Sequence, residues 1–354
     1  MTSTRWPGPA AAGLLAAAVL TGCFAFPPPA RAADEPSESS WVGKRIMTKQ
    51  PGVKIRSPGK DGKEVEETLT LATYRVHKDD GKRIQVRHRG VAGWLAKDDA
   101  LPLEEAVRYF TERIRTDPKD AYAYARRGLA WKERGELDQA LKDCSEAVRL
   151  DPKSSSWLNN RGLVLKDQGK FDQAIRDFDQ AIRIDPKNAL AYNNRGLAYT
   201  DQGKYDRAVQ DFGEAVRLDP KFSTAYSNRA IALAAQKEYG RAIRDYEEAI
   251  KADPENVLPY NNLAYLLATC PEDKYRDGKR AVASARRACE LTGWKDPGLI
   301  DTLAVAHAEA GQYEEAVKWV KKAMESSAKF SKEEMEQLKK QLALFQEGKP
   351  YREK

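Results

Sequence analysis

Asparagine side chains recur at a fixed spacing through the middle of the sequence. A first amide row has one asparagine every 34 residues, and its members are Asn160, Asn194, Asn228 and Asn262. A second amide row lies one residue earlier and comprises Asn159, Asn193 and Asn261, with Ser227 in the remaining position. Because a carboxamide both donates and accepts, such a row can hydrogen-bond the backbone of an extended peptide whatever its side chains. The alternative is that these amides cap or brace neighbouring helices.

Arginine and aspartate form a second periodic pattern, with the aspartate 16 residues after the arginine. The pairs are Arg127 with Asp143, Arg161 with Asp177, Arg195 with Asp211, and Arg229 with Asp245. In the two later repeats the same positions hold Leu263 with Ser284 and Leu303 with Trp319. This joint loss predicts a bidentate ion pair that bridges the two helices of each unit. The alternative is that both side chains are exposed and the repeats only share ancestry.

The sequence contains no motif suited to catalysis beside these rows. It has no G-x-G-x-x-G after a strand, no phosphate loop, no G-x-S-x-G and no H-E-x-x-H. The three histidines and four cysteines form no metal-binding cluster, and Cys144 lies on an apolar helix stripe. Cys270 and Cys289 fall at distant ends of two predicted antiparallel helices, so we expect no disulfide between them. We therefore expect no enzyme activity, no cofactor and no metal.

Prolines mark the ends of the repeated segments that carry both patterns. Each follows an aspartate and ends an apolar-periodic segment, at Pro118, Pro152, Pro186, Pro220 and Pro254. A small residue recurs inside each unit, at Gly128, Gly162, Gly196, Ala230 and Ala264. Alanines follow at two later positions, for example Ala140 and Ala147 in the first unit. Small residues at these points let two helices approach closely.

This pattern resembles the tetratricopeptide repeat (TPR), a pair of helices that buries its apolar face only by stacking on its neighbours. The resemblance implies a mainly α protein, in which a right-handed TPR α-solenoid has a concave face lined by the first helices. It also implies that the first amide row forms a peptide-binding ladder there. We predict an array over 103–327, comprising a cap helix and six units with a long turn in the fifth. Residues 328–354 would form a C-terminal capping helix and tail.

Residues 34–102 differ from the array because they contain short β-rich runs separated by turn residues. The "DDG" at 79–81 predicts a hairpin turn. The closing "GVAGWLAKDDAL" resembles the last strands of bacterial SH3-like domains, which implies a small SH3-like β-barrel. Such modules often bind peptides or cell-wall material. Trp41 and Trp94 would either plug the barrel or face a ligand.

Residues 1–33 resemble an export signal. Arg5 precedes a short apolar run over 10–20. Two processing sites compete: "LTGC" would make Cys23 a lipidated first residue, and "ARA" would release a soluble protein starting near Ala33. Either one places the protein outside the cytoplasm of a bacterium, in the periplasm or cell envelope, with a membrane contact only through a lipid anchor.

Charge and composition exclude some partners. The formal net charge is +7, but basic residues alternate with acidic ones through the repeats, so no nucleic-acid surface is expected. We predict a non-catalytic scaffold or adaptor that binds an extended segment of a protein or peptide partner. The alternative is a cell-wall-associated protein, in which the β module binds the wall and the array is a spacer.

Overall fold

A computed structural model describes residues 40–58, 64–69, 72–88, 90–326 and 330–352. The predicted signal with Cys23 and Ala33 lies outside these residues. The chain divides into two compact units, and the division falls between Ala198 and Tyr199, inside one helix. Among the described residues, no helix has both the length and the apolar character needed to cross a membrane.

The first unit begins with eight short strands, β1 to β8. They are β1 (Arg45–Thr48), β2 (Lys54–Pro58), β3 (Glu64–Thr68), β4 (Tyr74–Arg75), β5 (Lys78–Asp79), β6 (Arg83–His88), β7 (Val91–Ala96) and β8 (Ala100–Pro102). They pair into a three-stranded sheet of order β4-β1-β8 and a five-stranded sheet of order β3-β2-β7-β6-β5. The strand-rich part of the prediction is therefore confirmed, but the described strands form two sheets and do not close a barrel.

The predicted hairpin turn joins β5 to β6. These strands pair antiparallel, the Asp80 amide donates to the Arg83 carbonyl at 3.0 Å, and Gly81 takes a positive φ of 94°. Trp41 packs partly buried against the core of the strands, while the guanidinium of Arg83 lies over the Trp94 ring. Neither tryptophan is fully buried.

Helices make up the rest of the first unit. They are α1 (Leu103–Thr116), α2 (Ala121–Glu133), α3 (Leu137–Leu150), α4 (Ser155–Asp167), α5 (Phe171–Ile184) and α6 (Ala189–Asp201), whose last residues belong to the second unit. Helix α1 occupies the segment predicted as the lone cap helix. Because Asp117, Asp151 and Asp185 are in extended or non-helical conformations, the helices before them end there, as the Asp-Pro pattern predicts.

All the regular secondary structure in the described residues of the second unit is helical. Its helices are α7 (Tyr205–Leu218), α8 (Ser223–Ala235), α9 (Tyr239–Ala252), α10 (Val257–Thr269), α11 (Gly278–Leu291), α12 (Pro297–Glu309), α13 (Tyr313–Met324) and α14 (Lys332–Gln346). Helix α14 starts with a capping box in which Ser331 and Glu334 exchange hydrogen bonds. The mainly α prediction is confirmed.

Small residues lie where the two helices of a unit meet. A Cβ placed on Gly128 would lie 2.7 Å from the Cys144 sulfur, and one on Gly162 would lie 2.6 Å from the Phe178 ring. Glycine is therefore required for contact between α2 and α3, and between α4 and α5. The alanines that follow, such as Ala140 and Ala174, are completely buried at the same contacts.

Asparagines that precede some first helices brace that helix against the first helix of the unit before. The Asn188 amide donates to the Ser155 hydroxyl at 2.7 Å, and Asn256 donates to Ser223 at 3.0 Å. The same asparagines accept hydrogen bonds from the first turn of their own helices. One side chain thus caps a helix and fixes the stacking of two units.

The long turn of the fifth repeat, between α10 and α11, is tied to the chain around it. Arg276 donates to the Cys270 carbonyl at 2.8 Å, and its Nε lies 3.2 Å from Glu309 of α12. Arg352 in the C-terminal tail pairs with the same carboxylate. The insertion and the tail therefore both bind Glu309 at the end of α12.

Candidate functional site

The two amide rows lie on the first helices of successive repeats. Asn159 and Asn160 are on α4, Asn193 and Asn194 on α6, Asn228 on α8, and Asn261 and Asn262 on α10. All seven side chains belong to residues at most 8% exposed. Because a buried carboxamide is costly without hydrogen bonds, the partners of each amide decide what it does.

In the first unit, three amides form a chain of hydrogen bonds. The Asn193 Nδ2 donates to Asn194 Oδ1 at 3.2 Å, and the Asn194 Nδ2 donates to Asn159 Oδ1 at 2.8 Å. The second bond joins α6 to α4, so these amides connect the first helices of two repeats. This is the bracing arrangement that the alternative interpretation describes.

Asn160 differs from those three amides. Its Nδ2 is buried and has no hydrogen-bond partner among the residues that the structure describes. A carboxamide nitrogen has two donors, and leaving them unused costs about 1–3 kcal/mol relative to a hydrogen-bonded group. Asn160 therefore offers donors that the carbonyl of a bound segment can satisfy.

The second unit holds the remaining amides, Asn228, Asn261 and Asn262, in equally buried positions. Ser227 takes the place of an amide in the second row, and its hydroxyl donates to the Ser223 carbonyl of its own helix at 3.1 Å. The Ser227 hydroxyl is therefore hydrogen-bonded within its own helix, α8. An asparagine side chain at this position would be longer and would extend further from the helix.

Three of the arginine–aspartate pairs form bidentate ion pairs between the helices of one unit. Nε and Nη2 of each arginine donate to the two oxygens of one carboxylate, at 2.6–2.8 Å. The pairs are Arg127 with Asp143, Arg161 with Asp177, and Arg229 with Asp245. The hydrogen bonds to these aspartates raise the pKa of each arginine. The carboxylates are nearly buried while the guanidinium groups keep partial exposure.

Arg195 contacts an aspartate that precedes it in the sequence, whereas the sequence pattern predicts a contact with one that follows it. Its Nη1 donates to Asp179 of α5 at 2.7 Å, which lies 16 residues before the arginine. Asp211, the aspartate expected to pair with it, is a buried residue of the second unit. Arg127 likewise donates from Nη1 to Thr111 of α1 at 3.1 Å. An arginine can therefore connect three helices. The polar residues Thr111 and Asp179, each 16 positions before an arginine, were the feature of the sequence that could have indicated these contacts.

The sixth repeat has uncharged residues at the two positions of the ion pair. Leu303 is completely buried, and Trp319 stacks on Trp294 with ring centroids 5.1 Å apart and planes at 21°. Lys322 lies over both rings. Packed aromatic surface and a cation here replace the arginine–aspartate bridge.

The three described cysteines are buried thiols. Burial raises the pKa of Cys144 and of Cys289 to about 12. Both are therefore protonated at neutral pH and lack the thiolate that a cysteine nucleophile or metal ligand requires.

Comparison with known families locates repeats in both units. Models described as tetratricopeptide repeat match residues 121–154, 189–222, 223–256 and 299–329. A further model, described as TPR repeat, matches residues 162–203. A comparison with curated protein sequences finds no significant match.

One solved structure among those compared has a similar fold, and two others are similar over part of their helices. The chain is similar to PilF of Pseudomonas aeruginosa at 19% identity, covering 63% of this chain and 99% of that one with a TM-score of 0.53. A tetratricopeptide repeat protein from Parabacteroides merdae has 22% identity, coverage of 69% and 92%, and a TM-score of 0.49. YrrB, described as a TPR protein with an unusual peptide-binding site, has 19% identity, coverage of 53% and 94%, and a TM-score of 0.40. Together with the helix pairs of α2 to α5, the family matches show that this chain contains tetratricopeptide repeats.

Proposed function

We propose that the protein is a non-catalytic scaffold or adaptor, and that the first helices of its repeats bind an extended segment of a protein partner. Proteins built from tetratricopeptide repeats bind protein or peptide partners, which supports the general role. The finer claim, backbone recognition by the amides, depends chiefly on one observation: the Asn160 Nδ2 is buried and has no partner among the described residues.

The arrangement of the amides supports recognition of backbone over side chains. Asn160 lies beside Asn159 on α4, and Asn159 is connected through Asn194 to the next first helix. An extended segment crossing these helices presents carbonyl and amide groups at regular intervals, so its backbone can supply partners to successive amides. The hydrogen bonds within the protein hold Asn159 and Asn194 in place, which reduces the entropy lost on binding.

The experiment uses the full chain and a peptide selected from a random-peptide display library. Its affinity is measured for the wild type, for Asn160→Ala and for Asn160→Ala with Asn194→Ala. Because a hydrogen bond between uncharged groups contributes about 0.5–1.5 kcal/mol, we expect each lost amide to weaken binding by about two- to twelvefold.

The matched control is Asn256→Ala. This asparagine braces Ser223 and caps α10, and it lies outside both amide rows. We expect it to lower the midpoint of thermal unfolding but to leave peptide affinity unchanged under conditions where the protein stays folded. A folded Asn160→Ala, Asn194→Ala double variant that binds the peptide as tightly as the wild type does would refute the amide-based site.

The proposal includes export to the bacterial envelope, which rests on residues 1–33. The intact mass of protein purified from its native cells distinguishes a lipidated Cys23 from a chain starting near Ala33. A mass that includes residues 1–33 would contradict export. The cell-wall alternative predicts that the full chain sediments with purified peptidoglycan and that peptide binding is absent.

A further inference from the structure

Arg126 stands in the first repeat where the later repeats have the first amide row. It lies on α2, 34 residues before Asn160. The side chain is completely buried, and neither Nε, Nη1 nor Nη2 has a hydrogen-bond partner among the described residues. A guanidinium has five N–H donors and keeps its charge in proteins, so complete burial without an acceptor is unfavourable. Burial accordingly lowers the pKa of Arg126.

Within the described residues, only aromatic groups compensate for this charge. The guanidinium carbon lies 5.9 Å from the centre of the Tyr122 ring, and Tyr74 also interacts favourably with the positive charge. No carboxylate of the described part of the chain pairs with Arg126. A cation over an aromatic ring recovers part of the lost hydration, but it accepts none of the five hydrogen bonds.

Strand β1 contacts α2 along the face on which Arg126 lies. Tyr122, Arg126, Leu129 and Glu133 follow one another at intervals of four, three and four residues, which places them on one side of the helix. We call these four residues the covered face. Met47 of β1 belongs to the same apolar cluster as Tyr122 and Leu129.

Polar contacts hold β1 at both ends of the covered face. At one end, the Tyr122 hydroxyl donates to the Thr48 carbonyl at 3.2 Å. At the other end, Arg45 lies 2.6 Å from the Glu133 carboxylate. The strand is thus fixed by two polar contacts across a helix face that holds an unpaired charge between them. That charge favours separation of β1 from α2, because water or an anion could then solvate the guanidinium.

We propose that Arg126 is an anion-binding residue at the first repeat, that β1 covers it in the free protein, and that an aspartate or glutamate carboxylate of the bound partner segment pairs with it when β1 moves away. The proposal rests on the proposed function, because the segment bound at Asn160 is what brings the carboxylate to the neighbouring repeat. A carboxylate is the matching ligand, since its two oxygens accept bidentate hydrogen bonds from a guanidinium. The partner is therefore an acidic segment.

The test measures how the full chain binds two labelled peptides of equal length in physiological salt. One alternates glutamate with alanine, and the other has glutamine in place of every glutamate. We expect the wild type to bind the acidic peptide at least about tenfold more tightly, as a desolvated charge-assisted pair allows. We expect Arg126→Leu to bind the two peptides equally within about twofold. An Arg126→Leu variant that keeps the tenfold preference would overturn the proposal.

Two further variants separate this site from general attraction to a basic protein and from misfolding. Arg115→Leu removes one positive charge at an exposed position of α1 and should keep the full preference for the acidic peptide. Glu133→Gln breaks the contact with Arg45 and leaves Arg126 in place, so we expect it to bind the acidic peptide several-fold more tightly by making the covered state less favourable. Unchanged affinity in Glu133→Gln would contradict the role given to β1.

The same measurements distinguish this proposal from the proposed function. Loss of the amides in Asn160→Ala, Asn194→Ala should weaken both peptides to a similar extent, whereas Arg126→Leu should weaken only the acidic one. If the amide variant binds both peptides normally and Arg126→Leu still loses the preference, the amide-based site fails and the anion site stands.

Discussion

Arg161 and Asp177 face each other across the two helices of one repeat. The guanidinium donates from Nε at 2.7 Å and from Nη2 at 2.6 Å to the two oxygens of the carboxylate. The fifth repeat has Leu263 and Ser284 at these positions, so the chain itself supplies an uncharged replacement. We predict that Arg161→Leu lowers the free energy of unfolding by about 2–4 kcal/mol, because it leaves a nearly buried carboxylate without its partner. Asp177→Ser should cost less, about 1–3 kcal/mol, because the guanidinium that it leaves unpaired is partly exposed.

The double variant should lose less than the sum of the two single losses, with a coupling energy of about 1–3 kcal/mol measured by urea unfolding. Arg149 and Glu146 provide the control, since they form an exposed pair three residues apart on α3. Their coupling should stay below about 0.5 kcal/mol. Strictly additive losses for Arg161 and Asp177 would show that their contact contributes nothing to stability.

Two glycines in the helices of the array should respond to alanine in opposite ways. A Cβ on Gly162 would come within 2.6 Å of the Phe178 ring, so Gly162→Ala should destabilise the protein by about 1–3 kcal/mol. A Cβ on Gly213 of α7 meets only the Arg229 Nη1 at 3.7 Å. Gly213→Ala should therefore stabilise the protein by about 0.5–1 kcal/mol through higher helix propensity.

Thermal and urea unfolding of the two glycine variants measure this contrast directly. The substitution is the same in both, so any difference in sign comes from the surroundings of the glycine. Equal effects on stability at Gly162 and Gly213 would mean that the contact between α4 and α5 does not require a residue without a side chain.

His307 should make stability depend on pH. It is buried near the end of α12, and its Nδ1 lies 2.6 Å from the Gln312 Oε1. Burial lowers its pKa in the folded protein below the ordinary value of 6.5. The unfolded chain therefore takes up a proton first as the pH falls. The contribution of His307 to stability is complete above pH 6.5, and it decreases as the pH falls towards the pKa of His307 in the folded protein.

We predict that the wild type loses more stability than His307→Gln when the pH is lowered from about 7 to about 5. Unfolding by urea at several pH values measures both slopes, and subtracting them removes the contribution of the carboxylates shared by the two proteins. Parallel slopes would show that His307 titrates equally in the folded and unfolded states.

The sequence predicted the helices well because their period is local. The spacing of Pro152 and Gly162 depends on one helix pair, and each copy repeats the same information. The strands have no repeated sequence pattern of this kind. Strand β1 pairs with β8, so Ile46 lies opposite Pro102 although most of the β module separates them in the sequence. A register between such distant segments is set by tertiary packing, which a list of β-rich runs does not contain.

The candidate site was predictable by residue type but not by hydrogen bonding. The spacing identified Asn159, Asn160 and Asn194, yet only the structure shows that the first and third bond each other while the Asn160 Nδ2 has no described partner. Arg126 was missed because an arginine interrupts the amide pattern, and because its complete burial and its interaction with Tyr74 depend on residues that are distant in the sequence. A structural feature that depends on two distant segments of the chain does not appear as a periodic pattern in the sequence.

Peptide-backbone chemistry tests the central claim most directly. A display-selected peptide is compared with a version whose middle residues are scrambled while its acidic residues stay in place, and with a version carrying N-methyl groups at alternate backbone amides. We predict that scrambling changes affinity by less than about threefold and that N-methylation weakens it at least about tenfold. An N-methyl group removes the N–H that an asparagine Oδ1 accepts, and it crowds the neighbouring carbonyl to which the Asn160 Nδ2 would donate. Tight binding of the N-methylated peptide together with loss of binding on scrambling would contradict the account.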